Sequence, residues 1–435
     1  MILEDVTVID GTGRPPAHHT SILVKDGRIA AMGPRVPRPP QAEVRRMPGR
    51  TVIPGLIDMH AHVTTYVESG EPSAYRYDRA VSEQVLRTLL GFGITTVRNP
   101  AAPAAEGVRL RDDVAAGRIA GPRIFTAGEA IDHGRLPAGP FVVVETEAEV
   151  RREVRRQAKL GVDLVKLYAG LTENLVAAAI EEAHTHRLPA IAHLGATTWK
   201  RAAELGIDGI CHGASWEAFA LPSSRRAAYQ NSAQPYLKKR VEWLEDVDLE
   251  GDDLRATLGA LRSHRVVVDP TLVAYESKFR ARDPLYAGSP DLRFAPAALL
   301  TLWRAEPPLT FDWTAQEGAR ARSVWPKMLA LVKLYRDRGV RLVVGSDEPN
   351  PWVVPGPSLH REMELLVSAG IPPQEVLKMA TRNAAEALGI LKEAGTVEVG
   401  KRADLVVLSA DPLVDITTTR KIELVLQRGK SVETR

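Results

Sequence analysis

Eight short runs rich in β-branched residues alternate with longer helical segments through the middle of the chain, and this alternation limits the possible folds more than any other feature. The runs cover residues 51–57, 94–98, 123–127, 163–168, 189–193, 209–212, 266–269 and 341–346. Strands that alternate with helices favour a parallel sheet, and a set of eight favours a barrel over an open sheet. We therefore predict an α/β fold of the (β/α)8, or TIM barrel, type.

The two ends of the chain have a different pattern. Short, half-apolar runs separated by turn residues occur at 6–9, 20–24 and 28–32, and again at 403–408 and 423–427. Neither end has enough strands for a stable sheet by itself, so we expect the two ends to pair. The predicted organisation is a small β-sandwich lobe from residues 1–53 and 395–435 beside a barrel from 54–394, with long insertions at 215–262 and 276–339.

Composition excludes several classes of protein. The single cysteine, Cys211, rules out an internal disulfide framework and a cysteine-based zinc cluster. The formal net charge is only +3 and no basic run is present, so we expect no nucleic-acid partner. There is neither an apolar stretch of about 18 residues nor a signal-peptide pattern, so we expect a cytoplasmic protein with no membrane partner. Formation of a homo-oligomer is left open.

A pair of histidines ends the first predicted strand, in the segment Pro-Gly-Leu-Ile-Asp-Met-His-Ala-His at 54–62. Side chains two residues apart on a strand face the same side, so His60 and His62 project together while Ala61 points away. Two adjacent imidazoles supply part of the coordination sphere of a metal ion. Such a pair is weak evidence alone, so the interpretation depends on its companions.

Four further candidate ligands lie at the ends of later predicted strands. They are Lys166 on the fourth strand, His193 on the fifth, His212 on the sixth, and Asp347 directly after the eighth. In a parallel barrel the C-terminal ends of all strands open on one mouth, so these side chains would converge with the histidine pair. A single polar residue at a strand end usually caps or hydrogen-bonds a neighbour, but six in phase indicate a metal site.

The sequence resembles the amidohydrolase superfamily, in its prolidase-like branch near imidazolonepropionase and ochratoxinase. Three stretches carry the resemblance: Val-Ile-Pro-Gly-Leu-Ile-Asp-Met-His-Ala-His at 52–62, Ala-Thr-Arg-Asn-Ala-Ala-Glu-Ala-Leu-Gly at 380–389, and Gly-Lys-Arg-Ala-Asp-Leu-Val-Val-Leu at 400–408. The resemblance implies two divalent metal ions. By this resemblance, one metal is held by His60, His62 and Asp347, and the other by His193 and His212. It also implies that Lys166 bridges the two metals as a carbamate.

The chemistry of such a centre explains these residue types. A protonated lysine repels a cation, whereas its carbamate is an anion whose two oxygens can span metals about 3.5–4 Å apart. Zinc, the metal we expect, lowers the pKa of a bound water to about 7 and so supplies hydroxide. Asp347 would take the proton as general base and pass it to the leaving amine. If Lys166 were structural, or paired with Asp347, the site would hold one metal.

Four residues near the mouth are candidate substrate contacts. Tyr168 lies on the same strand face as Lys166, where it would donate a hydrogen bond to an oxyanion or to a substrate carboxylate, or pack as a rim aromatic. His133 lies in the loop after the third strand, while Trp216 and Trp352 follow the sixth and eighth strands. From its loop, His133 is placed to contact a substrate. The two tryptophans are placed to line the pocket or to pack in the core.

Two neighbours of these residues are expected to take no part in the site. Cys211 precedes His212, so strand alternation predicts that its thiol faces the layer between barrel and helices. Asn99 follows Arg98 at a position where the family often has an aspartate. Without that carboxylate, we do not expect a polar bridge from the second strand to the site.

The predicted activity is hydrolysis of a carbon–nitrogen bond, either an amide or a peptide-like bond, in a small molecule such as an N-acyl amino acid or a dipeptide. The same site would also hydrolyse a carboxylic ester, a lactone or a carbamate. A site with one metal would suit a heterocycle aminohydrolase or an imidazolonepropionase-like ring opener. A non-catalytic interaction protein with this fold would have lost ligands, and none is missing. Specificity would depend on the loops and insertions, so the sequence does not name the substrate.

Overall fold

The computed structural model describes residues 1–68, 75–134, 139–234, 236–281, 283–304 and 313–432. Residues 282 and 305–312 of the predicted insertion, and the last three residues of the predicted lobe, lie outside the described residues. No helix in these ranges combines the length and the apolar character that a membrane span requires.

The strands of the described chain belong to four sheets. They are β1 (Ile2–Val8), β2 (Ala17–Lys25), β3 (Arg28–Gly33), β4 (Val44–Arg46), β5 (Thr51–Pro54), β6 (Leu56–Asp58), β7 (Tyr66–Glu68), β8 (Tyr75–Tyr77), β9 (Ile94–Asn99), β10 (Arg123–Thr126), β11 (Ala130–Asp132), β12 (Phe141–Val143), β13 (Val165–Leu167), β14 (Ala190–Ala192), β15 (Gly209–Cys211), β16 (Val267–Asp269), β17 (Arg341–Leu342), β18 (Leu405–Leu408), β19 (Ile422–Gln427) and β20 (Lys430–Val432).

The α-helices separate and follow these strands. They are α1 (Arg79–Gly91), α2 (Ala104–Ala115), α3 (Glu147–Leu160), α4 (Glu173–Thr185), α5 (Trp199–Glu204), α6 (Ser223–Gln230), α7 (Tyr236–Asp246), α8 (Asp252–Ser263), α9 (Leu272–Phe279), α10 (Pro284–Ala287), α11 (Ala297–Arg304), α12 (Ala315–Ser323), α13 (Trp325–Asp337), α14 (Pro357–Ser368), α15 (Pro373–Lys378) and α16 (Ala384–Ala387).

Parallel strands lie where the β-branched runs predicted them, as β6, β9, β10 and β13 to β17. One sheet has the order β10-β9-β6, and a second has the order β12-β11-β13-β14-β15-β16-β17. Every residue of β13, β14, β15 and β16 is buried. This pattern is typical of parallel strands that are covered on both faces, and it confirms the predicted α/β class.

Backbone hydrogen bonds connect the first parallel strand to the segment after the last one. The His62 N–H donates to the Glu348 carbonyl at 2.7 Å, and the Asp347 N–H donates to the His60 carbonyl at 2.7 Å. These bonds hold the two histidines and Asp347 in register at the same end of the strands, although they are far apart in sequence.

Strands from the two ends of the chain share one sheet, in the order β20-β19-β18-β5-β1-β2-β3, with β4 beside β1. The antiparallel pair β5–β18 joins the N-terminal strands to the C-terminal ones. This sheet has its own cluster of buried apolar side chains, among them Leu3, Ile22, Val52 and Leu426. The two ends of the chain therefore pair, as the sequence predicted.

The predicted strand at 51–57 is in fact two strands. β5 belongs to the sheet of the chain ends, whereas β6 pairs in parallel with β9. A Cβ placed on Gly55, which lies between them, would be 2.2 Å from the Thr95 hydroxyl oxygen. Only glycine therefore fits where the chain passes from one sheet to the other.

The predicted insertions are helical. Helices α6 and α7 lie within 215–262, where α8 also begins, and α10 to α13 lie within 276–339, after α9. Helices α7, α9 and α11 each supply residues to the cavity at the C-terminal ends of the parallel strands.

Candidate metal centre

A cavity of about 460 Å³ opens at the C-terminal ends of the parallel strands. Its lining includes all six candidate metal ligands: His60, His62, Lys166, His193, His212 and Asp347. All except His62 are buried. The fold therefore brings side chains from five separate parts of the chain to one place.

A larger cavity of about 840 Å³ lies elsewhere, against α1, α2 and the β19–β20 hairpin. Its described lining contains none of the six candidate ligands. Catalysis requires convergent ligand and titratable groups, and volume alone does not provide them. The smaller cavity is therefore the candidate site.

His60, His62 and Asp347 form a first group of ligand atoms. The Nε2 atoms of His60 and His62 lie 3.3 and 3.4 Å from Asp347 Oδ1. Atoms that bind zinc tetrahedrally at about 2.0–2.1 Å are separated from one another by roughly 3.3–3.4 Å. The three side chains thus have the spacing expected of ligands to one metal ion.

His193 and His212 form a second group. Nδ1 of His193 lies 3.0 Å from Nε2 of His212. Burial lowers the pKa of both imidazoles well below the ordinary value, so both are neutral at pH 7. His212 Nδ1 also lies 2.8 Å from the Thr271 hydroxyl, which holds the ring with Nε2 towards His193. Neutral, oriented imidazoles are the form that binds a metal.

Asp269, a buried carboxylate that sequence reasoning missed, orients His60. His60 Nδ1 lies 2.6 Å from Asp269 Oδ1, while Arg98 donates to Oδ2 at 2.5 Å. Burial raises the pKa of Asp269, but the interaction with His60 and the charge of Arg98 outweigh this and lower it. A histidine that donates from Nδ1 to a carboxylate keeps its Nε2 lone pair for a metal. The sequence did contain a signal for this residue, because Asp269 ends the seventh predicted strand, and other predicted strands supply candidate ligands from the same position.

The second strand does make a polar bridge to the site, contrary to expectation. Besides its bond to Asp269, Arg98 donates from Nε to the Met59 carbonyl at 2.6 Å. Its guanidinium therefore links three strands beneath the candidate ligands. The neighbouring Asn99 donates to the Thr126 hydroxyl at 3.1 Å instead. The arginine makes the bridge, so the missing aspartate is not needed for it.

The expectation that Cys211 faces away from the site is wrong. Lys166 Nζ donates to Cys211 Sγ at 2.9 Å. His212 has a φ of +75°, in the left-handed region, so the regular alternation of side chains ends at Cys211. This turn allows two consecutive side chains, the thiol and the imidazole, to reach the same interior.

Asp347 is ionised at neutral pH. Burial opposes ionisation, but the interactions with His60 and His62 hold the pKa of this carboxyl well below its ordinary value. Oδ1 faces these two histidines, whereas Oδ2 lies 3.9 Å from His212 Nδ1, beyond hydrogen-bond distance. One oxygen is thus placed to bind a metal and the other to accept a proton.

Tyr168 lines the cavity beside His193. The two ring centroids are 4.5 Å apart, and the Phe141 ring packs on Tyr168 at 4.9 Å in a T-shaped arrangement. Burial raises the pKa of the Tyr168 hydroxyl, so the group keeps its proton throughout the neutral range. It can therefore donate a hydrogen bond to a substrate oxygen.

The other candidate substrate contacts lie outside the described lining of the cavity: His133, Trp216 and Trp352. His133 Nδ1 donates to the Val144 carbonyl at 2.9 Å, because the loop after the third strand continues into β11 and β12. Trp352 packs on Trp303 with ring centroids 6.1 Å apart, within a separate apolar cluster. A local hydrogen bond therefore accounts for the position of His133, and local packing accounts for that of Trp352.

Two cations that were not predicted reach the cavity from the helical insertions. Arg240, on α7, lies over the Trp216 ring with Cζ 3.8 Å from the centroid. Trp216 thus supports the cavity lining without belonging to it. Lys278, near the end of α9, is half-buried and lines the cavity. No local sequence signal marks either residue, since their approach depends on how the insertions fold over the strands.

The sequence of this chain matches that of a known enzyme family. The model of the amidohydrolase family matches residues 51–230 and 297–432, more than half of the chain. The chain belongs to the amidohydrolase family. It is accordingly an enzyme, a hydrolase that acts on carbon–nitrogen bonds, as the sequence predicted.

Imidazolonepropionases are among the proteins to which this amidohydrolase is similar. The one from Agrobacterium fabrum (strain C58 / ATCC 33970) is 26% identical over 420 residues, which cover 92% of this chain and 86% of the relative. The one from Symbiobacterium thermophilum is 28% identical over 431 residues, which cover 94% of this chain and 86% of the relative.

Solved structures show the same α/β fold with parallel strands. A Xaa-Pro dipeptidase with bound methionine has a TM-score of 0.72 and 22% identity, with 99% of each chain covered. The ochratoxinase of A. niger has a TM-score of 0.70 and 18% identity, with 100% of this chain and 95% of that chain covered.

Proposed function

We propose that this amidohydrolase is a binuclear metal-dependent hydrolase that cleaves an amide or peptide-like bond in a small molecule, such as an N-acyl amino acid or a dipeptide. The spacing of the ligand atoms carries the proposal. Asp347 Oδ1 lies 3.3 Å from His60 Nε2 and 3.4 Å from His62 Nε2. His193 Nδ1 lies 3.0 Å from His212 Nε2. The hydrogen bonds between the first and last parallel segments support closure of the strands into a barrel, with the chain ends as a sandwich lobe.

The side chains present fit two divalent metal ions, with zinc as the candidate, because imidazole and carboxylate are its ligands in proteins. His60, His62 and Asp347 would hold one ion, and His193 and His212 the other. Lys166, buried in the same cavity, would bridge them as a carbamate. When bound, the metals would supply an activated water and polarise the substrate carbonyl.

The side chains of the site then have separate tasks. Asp347 takes the proton of the attacking water on Oδ2 and passes it to the leaving amine. Its low pKa keeps the carboxylate deprotonated, and so able to accept that proton, at the start of the reaction. Tyr168 donates its hydroxyl proton in a hydrogen bond to the oxygen that gains charge. Asp269 and Thr271 hold the His60 and His212 rings in the required orientations.

A second candidate is a hydrolase with one metal, either a ring opener of the imidazolonepropionase kind or a heterocycle aminohydrolase. The similarity to imidazolonepropionases favours it. Hydrolysis of an ester, a lactone or a carbamate would use the same residues as amide hydrolysis. A cytoplasmic location and a homo-oligomer stay predictions of the sequence.

Metal analysis of the purified protein separates the candidates. About two zinc ions per chain would support the binuclear proposal, and about one would support the second candidate. A protein that binds no divalent metal even when supplied with excess zinc would contradict both. A screen of N-acyl amino acids, dipeptides, lactones and aryl amides with the metal-loaded protein would then identify a substrate.

The bridging role of Lys166 is tested by Lys166→Ala. We expect loss of activity and partial rescue by short-chain carboxylic acids, which would occupy the position of the carbamate. Lys200→Ala, a lysine on α5 outside the described lining of the cavity, is the control and should keep full activity. Full activity of Lys166→Ala without added acid would contradict the bridge.

A further inference from the structure

Two cations in the lining of the cavity stand apart from the candidate metal ligands, Arg240 and Lys278. Asp347 is the one carboxylate among the described lining residues. In the proposed centre Asp347 is engaged with a metal, and Lys166, as a carbamate, is an anion that bridges the metals. No described lining carboxylate is then left for Lys278. Because Lys278 is half-buried, its charge is partly removed from water, and an accompanying anion offsets that cost.

Glu276, the carboxylate on the same helix as Lys278, has other partners. It accepts hydrogen bonds from Arg361 Nη2 at 2.9 Å and from the Tyr286 hydroxyl at 2.5 Å. Burial lowers the pKa of Lys278 to about 8, although Asp347 acts in the opposite direction, so the ammonium is mostly charged at pH 7. Lys278 therefore presents a positive charge to whatever occupies the cavity.

Arg240 adds a rigidly placed cation on the same side. Its Cζ lies 3.8 Å from the Trp216 ring centroid and 5.1 Å from that of Tyr275, and the residue is only 3% exposed. Cation–π contacts on two rings fix its position. One of its terminal nitrogens lies 3.4 Å from His193 Nε2, so this charge is next to the candidate metal ligands.

Apolar side chains form another part of the lining: Phe141, Leu299, Leu302 and Trp303. A volume of about 460 Å³ is within the range of sites for small molecules. The cavity thus offers metal-ligating groups, a cationic wall and an apolar wall to one ligand.

We propose that Lys278, with Arg240 beside it, binds a carboxylate of the substrate, and that the substrate is an N-acyl amino acid or a dipeptide with an apolar C-terminal residue. This inference rests on the proposed function. In such a molecule one carbon separates the carboxylate from the amide nitrogen. The carboxylate would meet the cations, the side chain would meet the apolar wall, and the scissile carbonyl would face the metal ligands. Neutral lactones lack the anion.

The test compares ligands that differ only in charge, by titration calorimetry on the full-length protein. The probes are N-acetyl-L-leucine and N-acetyl-L-phenylalanine, each with its carboxamide. We expect the wild type to bind the better acid about tenfold more tightly than its amide, and Lys278→Met to lose this preference while amide binding changes less than about twofold. Lys239→Met, on α7 but outside the described lining, should behave as the wild type.

Several outcomes would overturn the assignment. These are no binding of either acid, equal binding of acid and amide by the wild type, or an unchanged preference in Lys278→Met. The preference should persist after the metals are removed with a chelator, and its loss there would show that the carboxylate binds the metals instead. If inorganic phosphate bound more tightly than either acid, and Lys278→Met abolished that binding, the anion that Lys278 recognises would be a phosphate and not a carboxylate. Because none of these measurements needs turnover, a failure of the proposed hydrolysis would be seen separately.

Discussion

Asp269→Asn perturbs a fully buried polar link beneath the candidate metal centre. The carboxylate is 1% exposed, with His60 Nδ1 at 2.6 Å and an Arg98 nitrogen at 2.5 Å. Asparagine has nearly the same shape but no charge. The substitution therefore removes the anion that holds the His60 tautomer and leaves the Arg98 guanidinium buried without its charge partner.

Two separate losses follow from this geometry. Loss of the carboxylate behind a metal-binding histidine typically weakens metal affinity by about 10–100-fold, which corresponds to about 1.4–2.8 kcal/mol. Removal of one partner from a buried ion pair costs about 3–5 kcal/mol of folding free energy. Because the amide oxygen can still accept one of the two hydrogen bonds, we expect the stability loss at the lower end, about 3 kcal/mol.

The assays are zinc affinity, by competition with a chelator, and the free energy of unfolding in urea. Asp208→Asn is the matched control, because Asp208 also accepts from a histidine, His184 at 2.9 Å, and from the Ala190 N–H at 2.8 Å. Asp208 is largely exposed and outside the described cavity lining, so zinc affinity should not change and stability should fall by less than about 1 kcal/mol. An unchanged zinc affinity in Asp269→Asn would refute the view that this carboxylate prepares His60 for a metal.

Three further predictions concern catalysis, pH dependence and packing. Tyr168→Phe should lower kcat about 100-fold with little change in KM if the hydroxyl stabilises the transition state, and steady-state kinetics showing equal kcat would contradict that role. Burial raises the pKa of Glu217 from 4.5 to about 8, so the folded protein keeps a proton that the unfolded chain releases. The stability that this group contributes therefore falls as the pH rises between these two values. Glu217→Gln should reduce the pH dependence of the free energy of unfolding by about 1.4 kcal/mol per pH unit in this range. An unchanged pH dependence would refute the view that Glu217 is protonated in the folded protein. Gly170→Ala should destabilise the protein by about 2–3 kcal/mol in urea unfolding, because its Cβ would lie 2.1 Å from the His133 carbonyl oxygen. Gly259→Ala, with no atom within 4 Å, should be neutral or stabilising by up to about 1 kcal/mol, and equal losses in the two variants would exclude the steric explanation.

Local patterns in the sequence were sufficient to predict the parallel strands and the polar residues that end them. Alternation along a strand places His60 and His62 on one side, and parallel strands deliver their C-terminal ends to one edge. Both rules act over a few residues, which is why Lys166, His193 and Asp347 could be named before any coordinates.

The tertiary structure decided how those side chains are held and what else faces the cavity. The pairing of His60 with Asp269 joins residues 209 positions apart, and no local pattern encodes it. The left-handed backbone at His212 ended the alternation that had placed Cys211 on the wrong side. Lys278 reaches the cavity on a helix that folds back over the strands. These contacts depend on packing between distant segments, where the low dielectric of the interior makes each buried charge require a partner.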